Sequence, residues 1–212
     1  MRRVSIGIYG GTFDPIHWGH INAANQVQQK LGFDEVRMVL SARPPHRTQP
    51  IVSASDRFSL LQLALQDQPT LYADDCELKR SGPSYMVDTL LHYRKQAPES
   101  SIALILGMEA FNGLMSWHRW QDIIELAHIV ITDRAGFNNQ LETKLATYVE
   151  PFISTDKTQL KLLTHGKIYS QPVEPLAISA TQLRQLLKNN EPVSQWVPDA
   201  SLAEIQRHGF YS

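Results

Sequence analysis

Apolar residues along the chain alternate between short continuous runs and sets with helical spacing. The runs at 4–9, 35–40, 101–106, 129–132 and 167–170 predict buried strands, and a more polar run at 72–78 predicts an edge strand. Helical spacing predicts helices that begin after residue 20 and at about 55–66, 84–94, 120–127, 140–149, 179–188 and 199–207. This alternation is typical of βα units on a parallel sheet, so we predict an α/β fold.

The predicted helices also indicate which side chains face the sheet. These inward residues are Phe58, Leu61 and Leu65 in one helix, Val87, Leu90 and Leu91 in a second, and Leu183, Leu186 and Leu187 in a third. A chain of 212 residues has the ordinary size of one domain. We therefore predict a single domain over 1–212, with a core over about 1–172 and a helical layer over about 173–212.

The unusual residues of the chain follow the predicted strands. They lie in four segments, at 10–20, 41–47, 107–120 and 133–136, each of which begins where a strand stops. Ligands of such sheets bind outside the carboxyl ends of the strands. We therefore expect the four segments to line one crevice.

The segment 10–20, called here the first loop, reads GGTFDPIHWGH and joins a strand to a helix. Free N–H groups and the positive end of the helix dipole favour an anion there. His17 and His20 are three residues apart, so their rings can share one face and bind a phosphate. The spacing of the glycines fits neither a P-loop nor a dinucleotide-binding fingerprint. The basic segment 41–47 also disfavours NAD bound as in dehydrogenases.

Two other interpretations of the first loop remain open. Asp14, His17 and His20 could hold a transition metal, as in a metal-dependent hydrolase, although an acidic residue before Pro15 is also typical of a turn. Alternatively, both histidines could have a purely structural role.

Further candidate residues follow later strands. Ser179 and Gln182 fit a capping box, and Arg184 on the same helix could meet a polyphosphate. Ser84 is predicted to cap a helix and, with Tyr85, to offer N–H groups to a carboxylate. Of the two nearby tryptophans, we expect Trp117 to stack on a ligand ring and Trp120 to lie in the core.

Composition narrows the function classes. The chain has 20 basic and 21 acidic residues and a net charge of −1, which disfavours a general nucleic-acid or membrane binder. Cys76 is its one cysteine, so an internal disulfide is excluded and a reducing compartment is favoured. No apolar run has the length of a membrane helix or a signal peptide, and we expect a cytoplasmic protein.

The motifs also resemble a known family over essentially the whole chain. The first loop is similar to the T/HxGH signature of the nucleotidyltransferase superfamily, and ISATQLR at 178–184 is similar to its ISxTxxR motif. PPHR, GPSYMVDTL, the LG…W..W stretch and GKIY resemble one branch, the bacterial nicotinate-nucleotide adenylyltransferases. The resemblance implies a Rossmann-like, doubly wound fold. It also implies transfer of AMP from ATP to nicotinate mononucleotide, which gives deamido-NAD and pyrophosphate.

The resemblance implies the site residues by position. The ATP contacts would be Gly11, Thr12, Phe13, His17, Gly19, His20, Gly107, Ile178, Ser179, Thr181 and Arg184, of which Thr12, His17, His20 and Arg184 would be catalytic. The mononucleotide contacts would be His46, Arg47, Ser84, Tyr85, Glu109, Trp117 and Arg134. Two positions depart from the family pattern, since Glu109 replaces Asp and Ala135 replaces Pro.

The chemistry implied is a direct in-line displacement with no covalent enzyme intermediate. Mg²⁺ is expected as the cofactor, held through substrate phosphates and not by a protein cage. The expected partners are ATP and the mononucleotide, with no nucleic acid or membrane, and the chain would be a monomer or weak homo-oligomer. Two further alternatives keep the nucleotide site: an acceptor such as pantetheine phosphate, or nucleotide sensing without catalysis.

Overall fold

The computed structural model describes residues 3–45, 49–133 and 141–212. Its strands are β1 Ser5–Gly11, β2 Glu35–Leu40, β3 Leu71–Asp74, β4 Ser101–Gly107, β5 His128–Asp133 and β6 Ile168–Pro172. Its helices are α1 Trp18–Leu31, α2 Ala54–Leu65, α3 Cys76–Lys79, α4 Met86–Gln96, α5 Met108–Asn112, α6 Asp122–Leu126, α7 Thr143–Val149, α8 Gln159–Leu162, α9 Ala180–Lys188 and α10 Asp199–His208. Short 3₁₀ turns cover Leu114–Ser116 and Glu150–Phe152.

The six strands form one sheet in the order β3-β2-β1-β4-β5-β6, and every neighbouring pair is parallel. The central strand β4 has the sequence SIALILG and is buried nearly throughout. A strand covered on both faces must be apolar along its whole length, which explains this continuous run. The predicted α/β fold is confirmed, and the polar strand β3 does lie at an edge.

Helices cover both faces of the sheet. One apolar cluster contains buried residues of α1, α2, α9 and α10, and a second contains buried residues of α4, α5, α6 and α7. The residues after β6 therefore pack in the same cluster as α1 and α2. Ser201 of α10 also donates a hydrogen bond to the Leu60 carbonyl at 2.8 Å, which joins α10 to α2.

Helix α1 begins within the first loop and packs against the core of the fold. Ile21, Ala24, Val27 and Leu31 are buried at the spacing of a single helix face. The helix ends at Gly32, whose φ of 67° lies in the left-handed region and whose N–H donates to the Gln28 carbonyl. Packing along the whole face fixes the helix start at the carboxyl end of β1.

The end of one strand and the burial of one leucine differ from the prediction. The strand predicted over 72–78 stops at Asp74, because the Asp74 side chain accepts from the Cys76 N–H at 2.9 Å and turns the chain into α3. Leu91, predicted to face inward, is 39% exposed. Thr89 faces inward in its place, since its hydroxyl donates to the buried carboxylate of Glu77.

Among the described residues, no helix is long and apolar enough to cross a membrane.

Candidate active site

A cavity of about 910 Å³ lies at the carboxyl ends of β1, β2 and β4. Ten of the predicted site residues line it: Gly11, Thr12, Phe13, His20, Ser84, Tyr85, Gly107, Glu109, Trp117 and Arg184. The expected common crevice is confirmed for the segments 10–20, 41–47 and 107–120, of which His46 and Arg47 lie outside the described residues. The segment at 134–136 lies outside them as well.

The two histidines of the first loop lie at the start of α1. His17 directly precedes the helix, and its ring stacks on the ring of His20 with centroids 3.7 Å apart and planes at 29°. His20 also meets the edge of Phe13, at 5.2 Å and 89°. The expectation that the two imidazoles share one face is therefore confirmed.

The environment of His17 keeps its ring uncharged. Burial lowers the pKa of His17 to about 4, so the imidazole is neutral at neutral pH. Its Nδ1 is buried and accepts no hydrogen bond from any other described residue. The ring lies directly over Gly19, where an added Cβ would be 2.8 Å from Nδ1 and Cε1. Gly19 is thus required by the position of the ring.

A second helix start reaches the same cavity. Ser179 caps α9 by accepting from the Gln182 N–H at 3.2 Å, which confirms the predicted cap. Arg184 donates to the main-chain carbonyl of Asp14 at 2.7 Å and to the hydroxyl of Thr181 at 3.2 Å. Residues 170 positions apart in the chain are thereby joined, and the starts of α1 and α9 adjoin one cavity.

Asp14 does not behave as a metal ligand. Its Oδ1 accepts from the Tyr211 hydroxyl at 2.8 Å, and its Oδ2 accepts from the Ile51 N–H at 3.2 Å. Across 3–45, 49–133 and 141–212, no three His, Cys, Asp or Glu side chains are grouped closely enough to hold a metal ion. This geometry gives the metal-binding interpretation of Asp14, His17 and His20 no support.

Arg57 holds two segments of the site together, although it was not among the predicted site residues. This side chain is only 1% exposed and donates to the main-chain carbonyls of Thr12, Ser41 and Ala42. It therefore joins the first loop to the segment that follows β2. A single arginine on a helical face gives no pattern in the sequence that would reveal this.

The opposite wall of the cavity is built where α4 begins. Ser84 was predicted to cap this helix, but its hydroxyl accepts from the Arg43 N–H at 2.9 Å and the helix starts only at Met86. The Ser84 N–H donates back to the Arg43 carbonyl at 3.0 Å. The capping prediction is wrong because this pair of hydrogen bonds holds Ser84 against the end of β2.

Aromatic rings form the wall next to α4. Tyr85 stacks on His118 at 4.3 Å, and both residues line the cavity beside Trp117. Trp120 is partly buried and meets Tyr148 edge-on at 4.6 Å, outside the cavity. The main-chain N–H of Trp117 donates to the Leu114 carbonyl at 2.9 Å.

The remaining predicted residues divide into two groups. Five of them do not line the cavity but lie next to residues that do: His17, Gly19, Ile178, Ser179 and Thr181. His17 stacks on His20, Gly19 lies between His17 and Ile178, Thr181 accepts from Arg184, and Ser179 directly precedes Ala180. His46, Arg47 and Arg134 lie outside the described residues.

Comparison with known proteins agrees with this geometry. The cytidylyltransferase-like family model matches residues 8–194. A protein of Methylococcus capsulatus named "Probable nicotinate-nucleotide adenylyltransferase" is 41% identical over 208 residues, which cover 98% of this chain and 99% of that protein. The chain belongs to the nicotinate-nucleotide adenylyltransferase family. A relative of the same name from Pseudomonas syringae pv. tomato is 42% identical, over 97% of this chain and 93% of its own.

Solved structures share the family fold. The Plasmodium falciparum nicotinic acid mononucleotide adenylyltransferase complexed with NaAD superposes with a TM-score of 0.75 at 16% identity, over 99% of this chain and 98% of that chain. The same enzyme complexed with APC gives a TM-score of 0.71 over the same shares. The Rossmann-like, doubly wound architecture of this nicotinate-nucleotide adenylyltransferase family member is thus confirmed.

Proposed function

We propose that this chain transfers AMP from ATP to nicotinate mononucleotide, giving deamido-NAD and pyrophosphate. The observation that carries the proposal is the hydrogen bond from Arg184 to the Asp14 carbonyl, which brings the starts of α1 and α9 to one cavity. Two helix starts offer N–H groups and positive dipole ends to a polyphosphate. The relatives named for this reaction match nearly the whole chain and support the assignment.

The reaction proposed is one direct displacement. The mononucleotide phosphate attacks the α-phosphorus of ATP in line, one P–O bond forms, and the bond to the leaving pyrophosphate breaks. A phosphate monoester is already ionised at neutral pH, so the step needs no general base. The task of the protein is to position the two nucleotides and to stabilise charge on the phosphoryl oxygens. No covalent enzyme intermediate is involved.

The residues of the two helix starts take distinct roles in this proposal. His17 and His20 would lie beside the α- and β-phosphates, and the Thr12 hydroxyl would donate to a phosphate oxygen. Arg184, held by Asp14 and Thr181, would bind the pyrophosphate as it leaves. Removing one donor of this kind typically lowers the rate by about 10²–10³.

Because His17 is neutral without a ligand, its charge could depend on bound nucleotide. Its lowered pKa, about 4, reflects a site that is buried and provides no anion to the ring. A bound triphosphate would supply that anion and favour the protonated form. The imidazole would then carry a positive charge only when nucleotide is present, which strengthens its contact as charge develops.

Mg²⁺ is proposed to accompany ATP. Both carboxylate oxygens of Asp14 accept hydrogen bonds within the chain, so the donor set of the first loop suits a cation that is bound through substrate phosphates. There Mg²⁺ would neutralise charge on the phosphates. Glu109 lines the cavity from the first turn of α5, directly after β4, and would contact a ribose hydroxyl.

Selectivity for nicotinate would come from the wall at α4. The start of an eleven-residue helix presents the N–H groups of Met86 and Val87, next to the stacked rings of Tyr85 and His118. A ring carboxylate is favoured at such a helix start. Trp117 would then lie against the pyridine ring.

The proposal is tested with a panel of acceptors. Pyrophosphate release is measured with ATP or CTP and, in turn, nicotinate mononucleotide, nicotinamide mononucleotide, pantetheine phosphate and no acceptor. We expect rapid release only with ATP and a pyridine mononucleotide, fastest with nicotinate. Release of pyrophosphate with pantetheine phosphate instead would show a different acceptor. Binding of ATP without release for any acceptor would show nucleotide sensing without catalysis. Either result would refute the proposal.

A pair of histidine variants connects the activity to the site. His20→Ala is expected to lower the rate by about 10²–10³, because it removes a donor from the phosphate site. His92→Ala is the matched control, since His92 is exposed on α4 and does not line the cavity. Equal activity of the two variants would contradict the role given to His20.

A further inference from the structure

A carboxylate lies buried in the first loop, beside the proposed triphosphate site. Asp14 is 7% exposed, and each of its oxygens accepts one hydrogen bond, from Tyr211 and from Ile51. The guanidinium of Arg184 comes within 4.0 Å of Oδ2. Since a buried charge is costly without hydrogen bonds, these donors decide how the Asp14 side chain is oriented.

Tyr211 reaches Asp14 from the far end of the sequence. Its side chain is 6% exposed and does not line the cavity, and its hydroxyl donates to Asp14 Oδ1 at 2.8 Å. Burial and the adjacent carboxylate raise the pKa of Tyr211 above its usual range. The hydroxyl therefore remains protonated and continues to donate. Tyr211 does not itself face the nucleotide cavity, and its hydroxyl contacts Asp14.

Asp14 in turn holds the cationic group of α9. The main-chain carbonyl of Asp14 accepts from Arg184 at 2.7 Å, and the neighbouring residue Phe13 has a φ of 48°, in the left-handed region. A non-glycine residue keeps such a conformation only when the surroundings fix it. Any shift of the Asp14 backbone would therefore move the acceptor that Arg184 binds.

We propose that Tyr211 is a positioning residue of the triphosphate site, which acts by orienting Asp14 and, through it, Arg184. The inference rests on the proposed function, because it concerns the same nucleotide site. Without the Tyr211 hydroxyl, one oxygen of a buried carboxylate lacks a donor and turns to find another. The Asp14 carbonyl and Arg184 then move, while the mononucleotide wall at α4 stays in place.

A matched pair of tyrosine variants tests this. Tyr211→Phe removes the hydrogen bond to Asp14, and Tyr93→Phe removes a similar buried one, from Tyr93 to Asp74 at 2.6 Å, away from the cavity. Calorimetric binding of a non-hydrolysable ATP analogue is measured, together with KM for each substrate. We expect Tyr211→Phe to weaken analogue binding and raise KM for ATP about tenfold, as for a lost hydrogen bond to a charged group.

The control separates positioning from general destabilisation. Tyr93→Phe should lower thermal stability by a similar amount and leave analogue binding within about twofold of wild type. KM for nicotinate mononucleotide should stay within the same range in both variants. The proposal is overturned if analogue binding is unchanged in Tyr211→Phe, or if it weakens equally in Tyr93→Phe.

A double variant tests whether the effect passes through Asp14. Asp14→Asn leaves one acceptor oxygen for two donors and should also weaken analogue binding, even if Tyr211→Phe fails to fold. Combined with Tyr211→Phe, it should bind about as weakly as the weaker single variant, because both changes disturb the hydrogen bonding of the same buried side chain. The inference would be refuted if the double variant lost affinity for the analogue by the product of the two single losses. It would also be refuted if Asp14→Asn bound the analogue normally. Failure of the wild-type chain to release pyrophosphate while it binds the analogue would refute only the proposed reaction.

Discussion

Gly19→Ala is the substitution that most directly perturbs the geometry of the proposed triphosphate site without removing a functional group. The added methyl would lie 2.8 Å from Cε1 and Nδ1 of His17 and 3.4 Å from the side chain of Ile178. Carbon contacts are normally about 3.5 Å, so the His17 ring must retreat about 0.7 Å. That ring is already stacked on His20 at 3.7 Å, so the displacement disturbs both imidazoles.

The expected loss of activity follows from that displacement. A misplacement of about 1 Å at a reacting group lowers turnover about 10²-fold. Stability should change much less, because alanine in a helix gains up to about 1 kcal/mol over glycine and offsets part of the steric cost. We therefore expect kcat for pyrophosphate release to fall about 10²-fold while the thermal midpoint changes little.

Gly113→Ala is the matched control. Gly113 lines the same cavity, yet an added methyl there would meet nothing closer than 3.7 Å. Its kcat should stay within about twofold of wild type. If Gly19→Ala is as active as this control, the argument that His17 must lie over Gly19 for catalysis is refuted.

Three further predictions concern stability. Arg57→Met leaves the loop carbonyls that it binds without their buried donor, and urea unfolding should show a loss of about 3 kcal/mol. Burial lowers the pKa of His128 to about 4, so the stability it contributes is complete above its ordinary pKa of 6.5 and is lost as the pH falls towards 4. Across that range the free energy of unfolding should fall by about 3 kcal/mol less in His128→Gln than in wild type, because the buried His17 contributes the same loss to both, and equal slopes would contradict the prediction. Ser179→Ala should cost about 1 kcal/mol through loss of the α9 cap, and an unchanged urea midpoint would refute that role.

The fold could be predicted largely from apolar patterning. Buried parallel strands such as β4 must be apolar on both faces, and helices such as α1 must be apolar on one, so both leave a clear pattern. The pattern failed where local hydrogen bonds decided the structure. Asp74 ends β3 by accepting from the Cys76 N–H, and Thr89 of α4 faces inward because it donates to Glu77. Single hydrogen bonds of this kind leave no periodic pattern in the sequence.

The position of the candidate site could be predicted, but the contacts that hold it together could not. Parallel strands end at one edge, so the segments that follow β1, β2 and β4 could be expected to meet. The contacts that hold them together join distant parts of the chain, such as Arg57 to Thr12 and Tyr211 to Asp14. Each depends on tertiary packing of a single side chain, and a single sequence contains no spacing that indicates it.

The central claim is that one triphosphate binds between the starts of α1 and α9. A crystal structure with a non-hydrolysable ATP analogue and Mg²⁺ tests it most directly. We predict phosphate oxygens within hydrogen-bond distance of His17 or His20 on one side and of Arg184 on the other. A triphosphate bound elsewhere in the cavity, in contact with neither helix start, would contradict the account.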